Sequence, residues 1–280
     1  MATLREIIPA SPLEIAPYGL LGLVDPISMV TDRWVGGFIK ESLGCTATVQ
    51  LLDVCGGADP VVVINPSGNA DQDYTPFGVE AFDECTTFGH TVRDSETRAL
   101  DALAACTSKA IETEFWTGNL ARANGYDDNR YLASPSAQLV TPGDSPIKIK
   151  HGLAILERAL GDAGCGTRGT IHVTRDVASV LGAKDVDGHL ETPLGNYVVA
   201  GTGYTGQGPD GSHPATGTWM YATGPVSVML GAPEVPETEE FQNVDTNVNM
   251  YRSRAQLPAA VIWDGCAHFA VWVDLVLDYS

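Results

Sequence analysis

The sequence predicts an α+β fold, and three observations support that prediction. One long helical pattern begins at Asp94 and ends before Gly125, with apolar residues at three- and four-residue steps. Segments rich in β-branched residues precede it, and the chain becomes strand-rich towards its end. With 280 residues, of which 44% are hydrophobic and 18% charged, the chain can bury a core without disulfides or metals.

The charge of the chain limits its function classes. It has 16 Lys and Arg residues against 35 Asp and Glu, a net charge of −19. Such a chain repels phosphate backbones and anionic membrane surfaces, so specific nucleic-acid binding and membrane docking are not expected. No apolar run approaches the roughly 18 residues of a membrane span, and the N-terminus is not a secretory signal. The six cysteines include no CxxC pair, which favours buried reduced thiols in a cytoplasmic chain.

Residues 1–32 are predicted to form an extended N-terminal arm and not a helix, because four prolines interrupt the segment. The arm carries apolar side chains that would be unfavourable in water. They include Leu13, Ile15, Tyr18, Leu20 and Leu21. We therefore expect the arm to pack on this chain or on a neighbouring one.

Residues 33–64 are predicted to form a β-hairpin. The strand segments are "CTATVQLLDV" and "VVVIN", and "CGGADP" between them has the composition of a turn. The next stretch, "NPSGNADQDYTP", is predicted to be a loop, and short strands are expected in "FGVEAFDECTTFGHTVRD".

The long helix has signals at both ends, with Asp94 as a favourable N-cap and Gly125 ending the pattern. About 27 helical residues would span roughly 40 Å, which is long for a compact enzyme domain. The side chains expected to face a β layer are Leu103, Ile111 and Phe115. Glu112 is expected to be exposed, with a nearly silent Glu112→Gln substitution.

A second helix is predicted in "PIKIKHGLAILERALGDAG", with Ser145 as N-cap and Pro146 as the first helical residue. A strand, a turn and a short helix capped by Thr174 follow. The remaining strand segments are "NYVVAG", "TWMYAT", "GPVSVML", "TNVNMYRSR", "AAVIW" and "AHFAVWVDL". In the last of these, alternate residues from 267 to 275 are apolar, as expected for one buried sheet face.

The stretch "AGTGYTGQGPDG" matches the letters of the dinucleotide-binding fingerprint through Gly201, Gly203 and Gly206. That fingerprint works because a helix begins at the third glycine and directs its amides at the pyrophosphate. Here "QGPDGSHPATGTW" follows, whose glycines and prolines oppose a helix. We therefore predict a loop between two strands and no nucleotide cofactor.

No other motif assembles a catalytic, metal or cofactor site. Two weak alternatives are a thiol–imidazole pair of Cys266 and His268, and a calcium loop at "DVDGHLE". The latter lacks the glycine at its sixth position and the acid at its twelfth. His172 and His268 lie in predicted strands, where a structural role is the simpler interpretation.

The order of the elements resembles the major capsid proteins of tailed phages, the Hong Kong 97 type. These proteins have an N-terminal arm, an extended hairpin loop, a peripheral domain with a spine helix, and an axial domain. Here "RDSETRALDALAACTSKAIETEFWTG" occupies the place of the spine helix. The segment from "GLAILERALGDAG" through "TPLGNYVVAGTGY" resembles the axial domain, and "NVNMYRSRAQLPAAVIWDGCAHFAV" resembles the closing strands.

The resemblance implies five regions and a set of assembly contacts. The regions are an arm (1–32), a hairpin loop (33–75), a peripheral domain (76–135), an axial domain (136–240) and return strands (241–280). The expected contact residues are Leu13, Ile15, Tyr18, Leu20, Leu21, Trp34, Lys40, Gly56, Gly57 and Asp59. If the arm is an inter-subunit contact, deleting residues 2–24 should leave a folded subunit that no longer forms particles.

The resemblance also implies a non-enzymatic subunit, assembled in the host cytoplasm, that forms the icosahedral head of a virion. It would have no cofactor, and its partners would be its own copies in hexamers and pentamers. Scaffold, portal and decoration proteins and packaged DNA, without sequence-specific contact, are further expected partners. The alternatives are an encapsulin-type compartment shell, a tail or head-completion protein, and an unrecognised cytosolic enzyme.

Overall fold

The structure is a computed structural model. The residues that it describes are 16–28, 36–41, 49–52, 60–64, 71–86, 91–126, 128–163, 167–209, 211, 216–236, 244–245, 249–263, 265 and 267–278. Helices and strands are both present, so the α+β prediction is confirmed. No helix in these ranges is long and apolar enough to cross a membrane.

The helices are α1 (Leu20–Leu23), α2 (Val92–Thr117), α3 (Asn119–Asn124), α4 (Ile149–Ala163) and α5 (Arg175–Leu181). The strands in the first half of the chain are β1 (Ile27–Ser28), β2 (Phe38–Glu41), β3 (Val49–Leu52), β4 (Pro60–Ile64), β5 (Asp71–Tyr74), β6 (Phe77–Thr86) and β7 (Gln138–Leu139). Those in the second half are β8 (Thr170–His172), β9 (Lys184–Val186), β10 (His189–Glu191), β11 (Tyr197–Val199), β12 (Thr218–Thr223), β13 (Val226–Leu230), β14 (Val244–Asp245), β15 (Met250–Trp263) and β16 (His268–Val273).

Two sheets form the body. The first has five strands, with β15 pairing antiparallel with β6 over residues 250–259 and with β13 over residues 259–263. The second has seven strands in the order β7-β16-β12-β8-β11-β10-β9, with parallel pairs at β7–β16 and β8–β11. The segments "TNVNMYRSR" and "AAVIW", predicted separately, lie in the single strand β15 and its approach.

The predicted β-hairpin is present as two nested antiparallel ladders. Strands β2 and β5 pair at its base, and β3 and β4 pair further out. Val49 lies 11 positions after Phe38, and Tyr74, the partner of Phe38, lies ten positions after Ile64, the partner of Val49. The two ladders are therefore compatible with one hairpin. The prediction of a loop through "NPSGNADQDYTP" is wrong at Asp71–Tyr74, because β2 supplies the pairing partner that local composition does not reveal.

The long helix α2 has 26 residues and a length of about 39 Å. Its N-cap is Thr91 and not Asp94. The Thr91 side chain accepts from the Asp94 amide, and the Asp94 carboxylate accepts from the Thr91 amide, which is a capping box. Gly118, with φ of 58°, ends α2 seven residues before the predicted stop, and Gly125 ends the short α3.

The second predicted helix begins later than expected. Ser145 and Pro146 precede it, and Ile147 instead forms a parallel bridge to Val273, so that α4 begins at Ile149. Ile147, which the Ser-Pro pattern assigned to the start of the helix, therefore pairs with the seven-stranded sheet instead. The predicted N-cap Thr174 of α5 is confirmed.

Two hydrophobic cores meet across the seven-stranded sheet. One lies between α2 and the five-stranded sheet and contains Leu103, Ile111 and Phe115, which confirms their predicted direction. The other lies under α4 and α5. Along β16, Phe269 and Val271 enter the second core, and the intervening Ala270 enters the first. The predicted alternation is confirmed, and both sheet faces are buried there.

The N-terminal segment does not remain extended throughout. Residues Leu20–Leu23 form one helical turn, and β1 joins the five-stranded sheet parallel to β13. Leu20 is fully buried in the α2 core. The prediction of an arm without helix is therefore wrong at α1, and a deletion through residue 24 would remove core contacts as well as an arm.

Two buried histidines lie where the cores meet. His172 is fully buried, with Nδ1 2.9 Å from the Tyr204 hydroxyl and Nε2 3.0 Å from the Thr223 hydroxyl. Burial and the nearby His268 lower the pKa of His172 to about 3. Burial also lowers the pKa of His268 to about 4, although its Nε2 lies 2.9 Å from the Leu132 carbonyl oxygen. Both rings are therefore neutral in the folded chain at neutral pH.

These histidines predict an acid-sensitive fold. In the unfolded chain each has a pKa of about 6.5, so between that pH and about 4 the unfolded state binds more protons. The contribution of the two histidines to the free energy of unfolding should be fully present above about pH 6.5 and should decrease as the pH falls below that value. The expected loss between pH 7 and pH 5 is about 2 kcal/mol per histidine, measured by urea titration. His172→Gln should reduce this pH dependence and the exposed His151→Gln should not; equal slopes in all three proteins would contradict the assignment.

Candidate assembly surface and the Glu112 junction

Glu112 lies on α2 between two core positions, yet it is fully buried. Its carboxylate accepts hydrogen bonds from three separate parts of the chain. The donors are Leu20 N (2.9 Å), Gly203 N (2.9 Å), Thr202 Oγ1 (3.1 Å) and Ser108 Oγ (3.3 Å). The prediction that Glu112 is exposed is therefore wrong. Helical periodicity placed it outside the apolar face, but segments about 90 residues away cover that side of α2.

The segment 16–24, termed here the N-terminal strap, is held at several points besides Glu112. The Ala200 amide donates to the Tyr18 carbonyl at 2.8 Å, and Arg175 Nη1 donates to the Pro17 carbonyl at 3.2 Å. The Tyr18 hydroxyl donates to the Asp185 carboxylate. Tyr18 also adopts a φ of 68°, which turns the chain into α1. The strap thus connects α2 to the seven-stranded sheet.

Residues 200–209, termed here the glycine loop, form the other cover over Glu112. A Cβ on Gly203 would lie 2.3 Å from the Lys109 carbonyl oxygen and 2.7 Å from the Thr113 amide nitrogen. Only glycine lets the loop backbone approach α2 this closely. No helix follows Gly206 among the described residues of the loop, and the next described strand is β12. The prediction of a strand–loop–strand connection is confirmed.

The charge at this junction is satisfied by hydrogen bonds. In the described part of the chain, Glu112 forms no ion pair with Lys, Arg or His. Burial and the negative charge of Glu112 raise the pKa of Tyr204 well above its ordinary value. Two amides and two hydroxyls can stabilise a buried carboxylate. These hydrogen bonds join the strap and residues 202–203 to α2 through one fully buried carboxylate, which anchors the three segments to each other.

The hairpin that begins at β2 has an anchored base and an exposed stem. At the base, the Tyr74 hydroxyl donates to the Trp263 carbonyl at 3.2 Å. Thr75 exchanges two hydrogen bonds with the Asn129 side chain, at 2.7 and 2.8 Å. In contrast, Ile39 on β2 is 71% exposed. A two-stranded ribbon with an exposed apolar side chain has little stability of its own, which makes the hairpin a candidate contact with another chain.

The predicted contact residues fall into three groups. Leu20 is buried in this chain, whereas Tyr18 and Leu21 are half-buried. Lys40 lies on β2. The others lie outside the described residues: Leu13, Ile15, Trp34, Gly56, Gly57 and Asp59. The structure brings Tyr18, Leu20 and Leu21 together in the strap, and their role between subunits stays a prediction.

The two weak chemical alternatives also have locations. The motif "DVDGHLE" spans the tight hairpin between β9 and β10, in which Asp187 and Gly188 have φ of 52° and 85°. These are the positive values that a two-residue hairpin turn requires. Cys266 lies outside the described residues. Among the described residues, no group of three or more His, Cys, Asp or Glu side chains could hold a metal ion.

No protein-family model and no curated protein matches this chain. Solved structures match nearly all of it. The capsid of a native GTA particle aligns with a TM-score of 0.57 at 10% identity, covering 98% of this chain and 95% of that chain. A structure from Mycobacterium phage Adephagia aligns with a TM-score of 0.51 at 12% identity, covering 97% and 94%.

This chain has the Hong Kong 97-type capsid fold. The same fold extends to a bacterial compartment protein. The holo-SrpI encapsulin complex from Synechococcus elongatus PCC 7942 aligns with a TM-score of 0.53 at 11% identity, covering 98% of this chain and 93% of that one. At these identities the match defines the fold alone. The capsid fold agrees with the resemblance inferred from the order of the elements.

Glu112→Gln should destabilise the capsid-fold subunit. The amide has the volume of the carboxylate but places an NH₂ group against one of the donors and removes the charge that the others stabilise. Hydrogen bonds to charged groups contribute about 1.5–3 kcal/mol each, so we expect a loss of about 2–4 kcal/mol in urea unfolding. Asp101→Asn, on the exposed side of α2, is the matched control and should change stability by less than about 0.5 kcal/mol. Equal effects of the two substitutions would show that Glu112 anchors nothing.

Gly203→Ala should separate the glycine loop from α2, because its methyl group would overlap the Lys109 carbonyl oxygen. Overpacking of this kind costs about 1–3 kcal/mol. Gly161→Ala is the control, since no atom outside the helix backbone lies within 4 Å of its added Cβ and alanine favours the helix by about 1 kcal/mol. Thermal melts should therefore move in opposite directions. A Gly203→Ala protein that melts at or above the wild-type temperature would contradict the close approach.

Proposed function

We propose that this chain is the structural subunit that self-assembles into the icosahedral head of a tailed bacteriophage around double-stranded DNA. The observation that carries the proposal is the capsid fold, matched over 97–98% of the chain in phage and GTA particle structures. The subunit would act as a virion component and not as an enzyme. Its partners would be its own copies in hexamers and pentamers, with scaffold, portal and decoration proteins as further candidates.

The regional assignments follow from this proposal. Helix α2 would be the spine of a peripheral domain at 76–135, and the seven-stranded sheet would supply most of an axial domain at 136–240. Residues 241–280 would return through both sheets, and residues 1–32 would form the arm. The hairpin at 33–75 would extend over an adjacent subunit. Its exposed Ile39 supports that role, because burial against a neighbour would remove apolar surface from water at about 25 cal/mol per Å².

A second candidate function is the shell of an encapsulin-type compartment. The alignment with the SrpI encapsulin supports it, because its TM-score of 0.53 lies within the range of the phage and GTA matches. The two candidates differ in their contents. A phage head is filled with DNA and carries a tail, whereas a compartment shell encloses protein and has neither. Purified particles from the native source, stained for nucleic acid and viewed by electron microscopy, distinguish them.

Assembly can be tested with variants that leave the folded body intact. The full chain, co-expressed with its neighbouring genes, should sediment as a megadalton species.

Replacing residues 42–70 with a short Gly/Ser turn retains β2, β5 and the Tyr74 anchor, so the subunit should stay folded but form no closed particles. Deleting residues 2–15 stops short of the strap and should also preserve the melting temperature while weakening assembly. A full chain that stays monomeric under every assembly condition would refute the shell function.

A further inference from the structure

A cleft of about 1090 Å³ lies beyond the C-terminal end of α2, between α3, the segment that follows it, and α4. Among the described residues, three arginines line it, Arg122, Arg130 and Arg158, together with one acidic residue, Asp162. The whole chain has 35 acidic residues against 16 basic ones. The cleft thus concentrates positive charge on a strongly negative protein, which indicates an anionic occupant.

The arginines of this cleft retain hydrogen-bonding capacity. Arg158 lies 3.5 Å from Asp162, but both side chains are largely exposed, so this pair contributes little. The Arg122 guanidinium lies 5.7 Å from the centre of the Tyr131 ring and bonds to oxygen atoms at the start of α3. Among the residues that the structure describes, neither Arg122 nor Arg130 forms an ion pair. Guanidinium groups in this state bind carboxylates well.

The chain itself contains a matching anionic segment. Residues 232–251 include no Lys or Arg, and Glu237, Glu239 and Glu240 place three carboxylates within four residues. A DNA phosphate is the less favoured anion, because the net charge of −19 opposes the approach of a polyanion to the subunit, whereas one short peptide carries few charges.

The acidic segment is attached to its own chain at two points that lie away from the cleft. Glu234 is bridged to Gln256 and Val244 pairs with Tyr251. These two β15 partners lie about 17 Å apart at about 3.3 Å per residue, and the connecting chain is at most about 35 Å long. It can therefore extend about 9 Å beyond Gln256 along β15. Ala260, which lies beside the cleft residues Arg130 and Tyr131, is about 13 Å beyond Gln256. The acidic segment of another chain has no such restriction.

We propose that the arginine cleft binds the acidic segment 237–240 of a second copy of this chain. The proposal rests on the proposed function, since a shell holds many copies side by side and raises the effective concentration of the segment at each cleft. It gives the cleft a specific role in contacts between subunits.

The first test uses the unassembled full-length subunit and a fluorescent peptide of residues 232–243, so it does not depend on particle formation. Anisotropy should show binding that weakens as salt is raised. R122E/R130E should weaken it at least tenfold. The matched double reversal R93E/K109E, at exposed positions on α2, should change it less than twofold. A peptide with glutamine at 237, 239 and 240 needs no variant protein and should also bind at least tenfold more weakly. Equal binding of the two peptides would overturn the proposal.

The second test is a charge exchange in the full chain, read by sedimentation under conditions in which the wild type forms particles. R122E/R130E should assemble poorly, and adding E237R/E239R/E240R to the same chain should restore particles. Normal assembly of R122E/R130E would overturn the cleft contact. The contact would also be overturned if the exchanged chain keeps the wild-type melting temperature but does not form particles. A short DNA duplex that binds the subunit and is lost in R122E/R130E would assign the cleft to nucleic acid instead. If the wild type forms no particles, the shell function fails and the peptide titration still decides the cleft.

Discussion

One buried carboxylate connects the separate parts of this subunit. Glu112 accepts hydrogen bonds from the strap, the glycine loop and its own helix, and no described cation compensates its charge. A carboxylate removed from water is strongly destabilising unless several donors replace the lost hydration. Helix α2 can therefore carry this charge only when the strap and the loop are both in place. The junction makes the position of the chain's N-terminal segment a condition of the folded core.

The region around Glu112 also explains how two sheets act as one body. Near its C-terminal end α2 contributes Phe115, whose ring packs edge-on against Trp263 of β15 and His172 of β8. Each of these rings belongs to a different sheet, so one helix turn joins them. Gly118, in the left-handed conformation, then turns the chain away before the helix would overrun the contact. The end of α2 thus lies where its Phe115 contacts both sheets.

Local sequence signals were sufficient for the elements whose stability is local. The existence of the long helix α2, its apolar face, the N-cap position of α5 at Thr174 and the loop after Gly206 were all predicted from residue patterns. The errors occurred where a distant segment decides the outcome. Asp71–Tyr74 is a strand because β2 pairs with it, and Ile147 leaves the helix for a bridge to Val273. Glu112 was missed for the same reason, since no pattern within α2 indicates that two remote segments cover it.

The hydrogen bonds of Glu112 are satisfied within the chain, whereas the hairpin and the arginine cleft expose groups that have no described partner for burial or ion pairing. At Glu112 the donors match the acceptor within a single chain, so nothing there requires a partner. The hairpin stem exposes an isoleucine on a two-stranded ribbon, and the cleft beyond α2 gathers arginines without described ion pairs. Both lie at the same end of α2, because Asn129 bonds to the hairpin base at Thr75 and also lines the cleft. The fold therefore satisfies its buried charge internally and leaves Ile39 and the cleft arginines open at the end from which the hairpin leaves the body.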